Sequence, residues 1–193
     1  MSNNKKCYPE FDHLAYVCVL PFINRWRGKV RHFKKMDEKI YAFDKYIVEY
    51  IIFSALVNII KPMEFKHSYD RCYCTKVMAK YLTDRIERGD SLMISLSKHV
   101  SNLIDIIELR HFSVVSSQDV DPELMKNWET NDNNMRLNAL LETLYNIRCN
   151  LFHGAKEFSD DQVALLQPAY SCLSIINKKI EAIYLDEFTN KNV

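Results

Sequence analysis

An arginine and a histidine in the last third of the chain have the types and the spacing to act on a phosphate group. Arg148 lies within the apolar stretch "YNIRCNLFHG", and His153 follows it by five residues. A guanidinium group matches a phosphate with two parallel hydrogen bonds, and an imidazole, with an ordinary pKa of about 6.5, exchanges a proton at neutral pH. The pair therefore predicts a site that binds an anion and moves a proton.

These two groups are what the cleavage of RNA without a metal requires. The ribose 2′-hydroxyl must lose a proton to attack phosphorus, the departing 5′-oxygen must gain one, and the phosphate between them needs a fixed positive charge. One motif supplies a single histidine, whereas two copies that face each other across a two-fold axis supply two. If the chain cleaves RNA, this chemistry predicts a homodimer that uses no metal and no other cofactor.

A predicted helix over about 133–152 must position the pair. Its apolar residues recur at the three-four spacing of one buried stripe. They are Leu137, Leu140, Leu141, Leu144, Ile147 and Leu151. Arg148 falls along this stripe and is therefore directed inward. Gly154 is suited to end the helix, and "SDDQ" at 159–162 is a capping pattern that opens a last helix running to about 186.

An internal ion pair is the alternative explanation for an arginine at this position. An unpaired buried charge costs several kcal/mol, so a carboxylate such as Glu49, Glu142 or Asp160 is expected to hold Arg148 if no ligand does. His153 would then only cap the C-terminus of the helix. This alternative predicts that Arg148 is fully paired inside the chain and shielded from solvent.

The same spacing occurs a second time, at Arg27 and His32, within a basic run that is expected to lie between helices. No apolar stripe directs Arg27 toward a site, so this second pair is not expected to be catalytic. The cations of the run, with aromatic residues among them, either contact an RNA backbone or are simply solvated. The candidate RNA-binding residues are Arg25, Arg27, Lys29, Arg31, Lys34 and Lys35, together with Lys156 beside the motif.

The whole chain has the composition of one all-α domain. Its 193 residues suffice for one core, and only three glycines and five prolines interrupt long stretches that favour helices. The prediction is an up-and-down bundle of five to six helices over 1–193. The helices before the motif are expected at about 9–27, 37–61, 70–88 and 91–110, followed by a long loop at about 112–132. The net charge of +1 argues against a uniformly basic surface.

Cysteine usage and hydropathy predict a cytoplasmic protein without a membrane span. The six cysteines form no C-x2-C pair, which is typical of reduced thiols. His67, Cys72 and Cys74 lie close together but lack a fourth ligand at zinc-finger spacing, so no metal site is predicted. The most apolar stretch, at 46–60, falls short of a membrane span, and the run at 14–23 fits a buried first helix better than an export signal.

The motif resembles the signature of a known family. "LYNIRCNLFHGAK" at 144–156 is similar to that of the HEPN superfamily, which often reads Arg-Asn-Asn-Leu-Phe-His-Gly near the end of a core helix. "YIIFSALVNII" at 50–60 resembles the aromatic and apolar second helix of that family. The resemblance implies a helical bundle that dimerises so that two Arg-x4-His motifs form a metal-independent endoribonuclease. It assigns the catalytic roles to Arg148 and His153.

The resemblance also implies a biological context and supporting residues. Family members include toxins of toxin–antitoxin pairs, antiviral effectors and RNA-processing proteins, so an antitoxin or regulatory protein is an expected partner. Cys149 stands where the family commonly has asparagine, and Asn150 after it can supply a hydrogen bond. Glu49 is expected either to orient Arg148 or His153 or to tie two helices together. The alternative function is a non-catalytic HEPN-like module that binds RNA or a protein, which Cys149 favours.

Overall fold

The structure of the protein, a computed structural model, describes residues 11–33, 38–60, 70–86, 91–109, 126–152 and 160–190. These parts of the chain are helical apart from a few residues at their ends and contain no strand, which confirms the predicted all-α class. Among the helices in these ranges, none combines the length and the apolar character that a membrane span needs.

The described residues form six helices and a single separate helical turn at 126–128. The first two are α1 at His13–Phe33 and α2 at Glu38–Val57. α3 is continuous but has an α-helical start at Asp70–Cys72, a π-helical middle at Tyr73–Val77 and an α-helical end at Met78–Thr83. The last three are α4 at Ser91–Leu109, α5 at Asn133–Phe152 and α6 at Asp160–Asn190.

α2 is the central helix of the bundle. It packs against both α1 and α6, and its side chains Phe53 and Leu56 are at most 1% exposed. The backbone N–H of Asp12 donates to the carbonyl of Ile59 at 3.3 Å, which places the start of α1 beside the end of α2. A helix that is apolar nearly all round is expected at such a position, because each of its sides must meet a neighbour.

Polar side chains fix the register between α2 and α6. Asn177 Nδ2 donates to the backbone carbonyl of Glu49 at 2.9 Å and to its carboxylate at 3.0 Å. Seven residues later in both helices, the Tyr184 hydroxyl donates to the carbonyl of Leu56 at 2.9 Å. The two helices therefore run parallel, as the second and sixth helices of an alternating bundle should.

α5 is held by α3 and by α2. It packs against the π-helical and the following α-helical segments of α3, while α4 packs against α6. The Tyr46 hydroxyl, fully buried on α2, donates a hydrogen bond to the backbone carbonyl of Leu144 on α5. These contacts fix the C-terminal half of α5, which carries the arginine of the motif.

α1 is longer at its C-terminal end than predicted. It continues to Phe33, so the described part of the basic run, residues 25–33, lies on a helix, and the prediction that this part lies between helices was wrong. Gly28 does not end α1, because a glycine inside a helix costs only about 1 kcal/mol relative to alanine. At the other end, Asp12 Oδ1 accepts a hydrogen bond from the N–H of Ala15 at 2.9 Å and caps the first turn.

α3 ends at Thr83, five residues before the predicted end at 88, and the remaining boundaries lie closer to the predicted ones. α5 covers the predicted 133–152, α6 continues four residues beyond the predicted end at 186, and α2 ends at Val57 with a turn at 58–60. Of the predicted loop at 112–132, the structure describes residues 126–132. Trp128 there is 8% exposed, and the guanidinium of Arg136 lies 4.4 Å from its ring centre, so this part of the loop is packed on the bundle.

Buried tyrosines should make the fold sensitive to alkaline pH. Burial raises the pKa of Tyr46, Tyr50 and Tyr184 above the ordinary value of about 10. Because the native pKa exceeds the unfolded one, their stabilisation is complete below about pH 10 and is lost as the pH rises further. We expect tyrosinate absorbance and the loss of helical circular dichroism to develop together above that pH. Ordinary titration of all eleven tyrosines with the helix content unchanged would contradict this expectation.

Candidate functional site

α5 brings Arg148 to the edge of the core. Asp132 caps the first turn of this helix, since its Oδ1 accepts a hydrogen bond from the N–H of Asn134 at 2.7 Å. The predicted apolar stripe is buried as far as Ile147, and Leu151 after it is half-buried. Arg148 is half-buried beside the stripe. The helical spacing thus places a permanent cation partly inside the protein.

Three aromatic rings surround the guanidinium group of Arg148. Its Cζ atom lies 4.9 Å from the ring centre of Phe152 and 5.8 Å from the ring centres of Tyr50 and of Tyr145. A cation within about 6 Å of a ring centre is attracted to the ring. Tyr50 belongs to α2 and the other three residues belong to α5, so the packing of these two helices creates the group. We call Arg148, Tyr50, Tyr145 and Phe152 the arginine cluster.

Glu49 does not pair with Arg148. Its carboxylate accepts hydrogen bonds from Lys45 at 2.7 Å and from Asn177 at 3.0 Å. Of the two roles predicted for Glu49, the structure supports the one in which it ties α2 to α6. The side chain of Asp160, another predicted partner, lies outside the described residues. No carboxylate of the described residues forms an ion pair with Arg148, so within this part of the chain an internal ion pair does not explain its position.

Glu142, the third predicted partner, binds a different arginine. It accepts hydrogen bonds from Nε of Arg71 at 2.7 Å and from the hydroxyl of Thr75 at 2.8 Å. Thr75 belongs to the π-helical segment of α3, and such segments occur frequently at functional sites. The Cζ atom of Arg71 also lies 5.7 Å from the ring centre of Tyr145. Tyr145 therefore has guanidinium groups of Arg71 and Arg148 near its ring.

The arginine cluster retains unused hydrogen-bonding capacity. Nη1 of Arg148 contacts Sγ of Cys149 at 3.8 Å, while its buried Nε has no hydrogen-bond partner. The hydroxyl of Tyr50, a residue that is 5% exposed, lies beside the thiol of Cys74. Buried polar groups without partners are uncommon, and a bound ion or water is one explanation for them. The cluster thus contains one cation that no carboxylate of the described residues neutralises.

The charges of the arginine cluster are fixed at neutral pH. Burial lowers the pKa of Arg148, but the hydrogen bond to Cys149 and the nearby Tyr50 raise it, and the net pKa lies above the ordinary value. Burial raises the pKa of Tyr50, as does the neighbouring thiol of Cys74. Burial likewise raises the pKa of Tyr145. At neutral pH the cluster therefore carries one positive charge and no negative one.

The structure describes only some of the predicted site residues. Cys149 and Asn150 are half-buried on α5 next to Arg148. The backbone of Arg31 is helical, but its side chain lies outside the described residues. The predicted residues that fall wholly outside the description are His153, Lys156, Lys34 and Lys35. The arrangement of Arg148 and His153 thus remains a prediction from the sequence.

The basic side chains that the structure describes at the end of α1 have different surroundings. Both terminal nitrogens of Arg27 donate to the carboxylate of Glu181, Nη1 at 2.7 Å, so its charge is neutralised within the chain. Nζ of Lys29 lies 4.3 Å from the ring centre of Trp26. Arg25 and Lys29 are exposed, whereas Arg27 is half-buried. Arg25 and Lys29 are therefore better placed than Arg27 to contact an RNA backbone.

Several residues of the site were not singled out by the sequence. Tyr50 lies in a stretch that predicts only an apolar helix, and Arg71 and Thr75 lie in a region whose pattern carries no functional signal. No periodicity marks a π-helical segment, so only the fold shows that these side chains lie near the motif helix. Within the described ranges, no three residues of the metal-binding types are grouped to hold a metal ion.

A separate groove of about 550 Å³ lies between α4 and α6. Its polar lining includes Lys98, His99, Asn102, Asp105, Gln167 and Ser171. Pro168, which also lines it, has no N–H to donate to the carbonyl of Ala164 one turn earlier in α6. None of the predicted site residues lines this groove, so it is distinct from the arginine cluster.

Comparison with protein families, with curated proteins and with solved structures gives no match. No relative therefore supplies an activity or a ligand. Any function must be inferred from the chemistry of the motif and from the geometry of the arginine cluster.

Proposed function

We propose that this chain is a HEPN-type, metal-independent endoribonuclease that cleaves single-stranded RNA. One observation carries the proposal: Arg148 is half-buried among three aromatic rings and has no carboxylate partner among the described residues. An external anion would stabilise this guanidinium strongly, because a charge that is removed from water without a partner is costly. A phosphodiester is an anion that a guanidinium binds with two hydrogen bonds.

In the proposed reaction Arg148 holds the phosphate and His153 moves protons. The imidazole of one copy removes the proton of the ribose 2′-hydroxyl, and the 2′-oxygen forms a bond to phosphorus. The bond from phosphorus to the 5′-oxygen breaks, and the imidazolium of the second copy gives its proton to that oxygen. The products are a 2′,3′-cyclic phosphate and a 5′-hydroxyl. Two copies related by a two-fold axis would supply both histidines.

The rings of the arginine cluster support a nucleic acid as the ligand rather than a small inorganic anion. The side chain of Phe152 is 58% exposed although it contacts the guanidinium, and Tyr145 is half-buried beside it. Exposed aromatic rings next to cations bind single strands by stacking on bases. Arg25 and Lys29 at the end of α1 are further candidates for contact with the RNA backbone.

The biological context belongs to the same proposal. The HEPN resemblance favours a cytoplasmic toxin or an antiviral effector, regulated by an antitoxin or another protein. The rival function is a non-catalytic module that binds RNA or a protein. The contact between Arg148 and the thiol of Cys149 favours this rival, because a thiol is a weaker hydrogen-bond acceptor than an asparagine side chain.

The test is incubation of labelled single-stranded RNA with the protein in EDTA. We expect fragments that end in a 2′,3′-cyclic phosphate, and we expect Arg148→Ala and His153→Ala to lose this cleavage while remaining folded. If the protein bound the RNA but left it intact, the result would support the non-catalytic RNA-binding module instead of the nuclease. Cleavage that requires a divalent metal, or that persists in both variants, would overturn the proposed mechanism.

A further inference from the structure

The groove between α4 and α6 combines apolar residues with a charged rim. Ile106, Ala164 and Pro168 are buried or half-buried and form the apolar floor of the groove. Lys98 and Asp105 also line it and are exposed, so they lie on the rim. Sites for small molecules typically have apolar walls, a few polar groups and a volume of about 300–1,000 Å³. The groove, at about 550 Å³, has these properties.

The two charges on the rim have opposite signs and a fixed separation. Lys98 and Asp105 are seven residues apart on α4, which places them on the same face of the helix. At 1.5 Å per residue, they are separated by about 10 Å along the helix axis. Neither forms an ion pair with another described residue. The groove therefore offers a ligand a cation at one end and a carboxylate acceptor at the other.

Side chains near these charges supply further hydrogen-bonding groups. Asn102 lies one turn after Lys98, is exposed, and carries both a donating and an accepting group. His99, next in sequence to Lys98, is half-buried and adds a ring N–H close to the cation. The hydroxyl of Ser171 donates to the carbonyl of Gln167 at 2.9 Å, so its remaining capacity is to accept. The polar groups thus suit a ligand with an anionic end and a donating end.

We propose that this groove binds a nucleoside monophosphate whose base carries an exocyclic amino group, such as adenosine monophosphate. Lys98 and His99 bind the phosphate, and the flat base lies on the apolar floor, as bases do in protein pockets. The amino group donates one hydrogen to Asp105 and the other to the amide of Asn102, which is suited to the edge of adenine. An α-amino acid, whose charged groups are adjacent, does not reach from Lys98 to Asp105.

This site does not rest on the proposed ribonuclease activity, because no residue of the arginine cluster lines the groove. Arg148→Ala is expected to leave the binding of adenosine monophosphate unchanged. A free nucleotide and the 5′ end of an RNA present the same groups to the groove. A 5′-phosphorylated oligoadenylate, titrated into the Arg148→Ala variant, distinguishes the two sources. Weaker binding than that of adenosine monophosphate assigns the groove to a free nucleotide, and equal or tighter binding assigns it to an RNA end.

The test is calorimetric titration of the full chain with adenosine monophosphate, inosine monophosphate and adenosine. Inosine monophosphate has a carbonyl oxygen in place of the amino group, and adenosine lacks the phosphate. We expect each of these two to bind at least about tenfold more weakly than adenosine monophosphate. Lys98→Gln should reduce the preference over adenosine. Asp105→Asn should reduce the preference over inosine monophosphate, because an amide can donate to the carbonyl oxygen.

Lys178→Gln is the matched control, because Lys178 is exposed on α6 outside the groove and its loss should not change binding. All these substitutions replace exposed side chains, and circular dichroism shows whether the variants are folded. Failure of adenosine monophosphate to bind at about 1 mM would overturn the proposal. Unchanged binding and selectivity in folded Lys98→Gln and Asp105→Asn would also overturn it. Loss of binding in Arg148→Ala would do so as well, by assigning the nucleotide to the arginine cluster.

Discussion

The Arg148→Ala variant is expected to cleave RNA about 100- to 1,000-fold more slowly than the unmodified chain. The substitution removes a guanidinium that contacts three rings and no carboxylate of the described residues, so its charge is available to the phosphate. Stabilisation of the transition state is lost, and the decrease should appear mainly in kcat. Single-turnover cleavage of a labelled RNA in EDTA measures this effect separately from product release.

Arg27→Ala is the matched control for Arg148→Ala. Arg27 stands five residues before His32, the same spacing as in the motif, but both of its terminal nitrogens bind the carboxylate of Glu181. Its charge is already neutralised, so its loss should leave the rate of cleavage per folded molecule unchanged. Circular dichroism of both variants shows whether they are folded. Equal decreases in two folded variants would contradict the role assigned to the arginine cluster.

An Arg148→Lys variant separates the charge from the geometry of the site. Lysine keeps the positive charge but lacks the planar group that binds phosphate with two parallel hydrogen bonds. We expect an activity between those of the unmodified chain and Arg148→Ala. If Arg148→Lys were fully active, positive charge alone would account for phosphate binding, and the two-bond geometry would not be required.

The helix that carries Arg148 could be predicted because its signals are local. The apolar stripe of α5 repeats at helical spacing, and the structure places this helix at the predicted 133–152. The end of α1 was predicted less well, because Gly28 and a run of cations resemble a connection when they are read without the rest of the chain. Glu181 explains the difference: it pairs with Arg27 from 154 residues away and holds that part of α1 against α6.

The surroundings of Arg148 could not be predicted, because they depend on the way in which helices pack. Spacing showed that the side chain points inward, but any of three carboxylates was a reasonable partner. Two of them bind elsewhere in the structure: Glu49 binds Lys45 and Asn177, and Glu142 binds Arg71. Which carboxylate pairs with which cation depends on tertiary contacts. The spacing of residues along the sequence does not predict these contacts.

The polar contacts between α2 and α6 have consequences for stability that can be tested separately from function. Glu49 is 3% exposed and Asn177 is fully buried, and the amide of Asn177 donates to both the carbonyl and the carboxylate of Glu49. A buried carboxylate is tolerated only when its oxygens accept hydrogen bonds. Asn177 therefore stabilises a charge in the core as well as the register of the two helices.

Asn177→Asp should destabilise the fold at neutral pH by about 3–5 kcal/mol, the range found when a buried charge loses its partner. The substitution replaces the donating amide by an oxygen, so two carboxylates would lie within hydrogen-bonding distance of each other. Lowering the pH protonates one carboxyl group, which removes the repulsion and restores a donor between the two. We therefore expect the loss of stability to shrink as the pH falls from 7 toward 4 in denaturant titrations.

Asn177→Ala distinguishes this repulsion from the simple loss of two hydrogen bonds. It removes the same donor and introduces no charge, so its stability relative to the unmodified chain should depend less on pH than that of Asn177→Asp. If both variants lost the same free energy of unfolding at every pH, repulsion with Glu49 would play no part. The shared effect would then come from the lost bonds alone, and Lys45, which also binds Glu49, would suffice to stabilise the carboxylate.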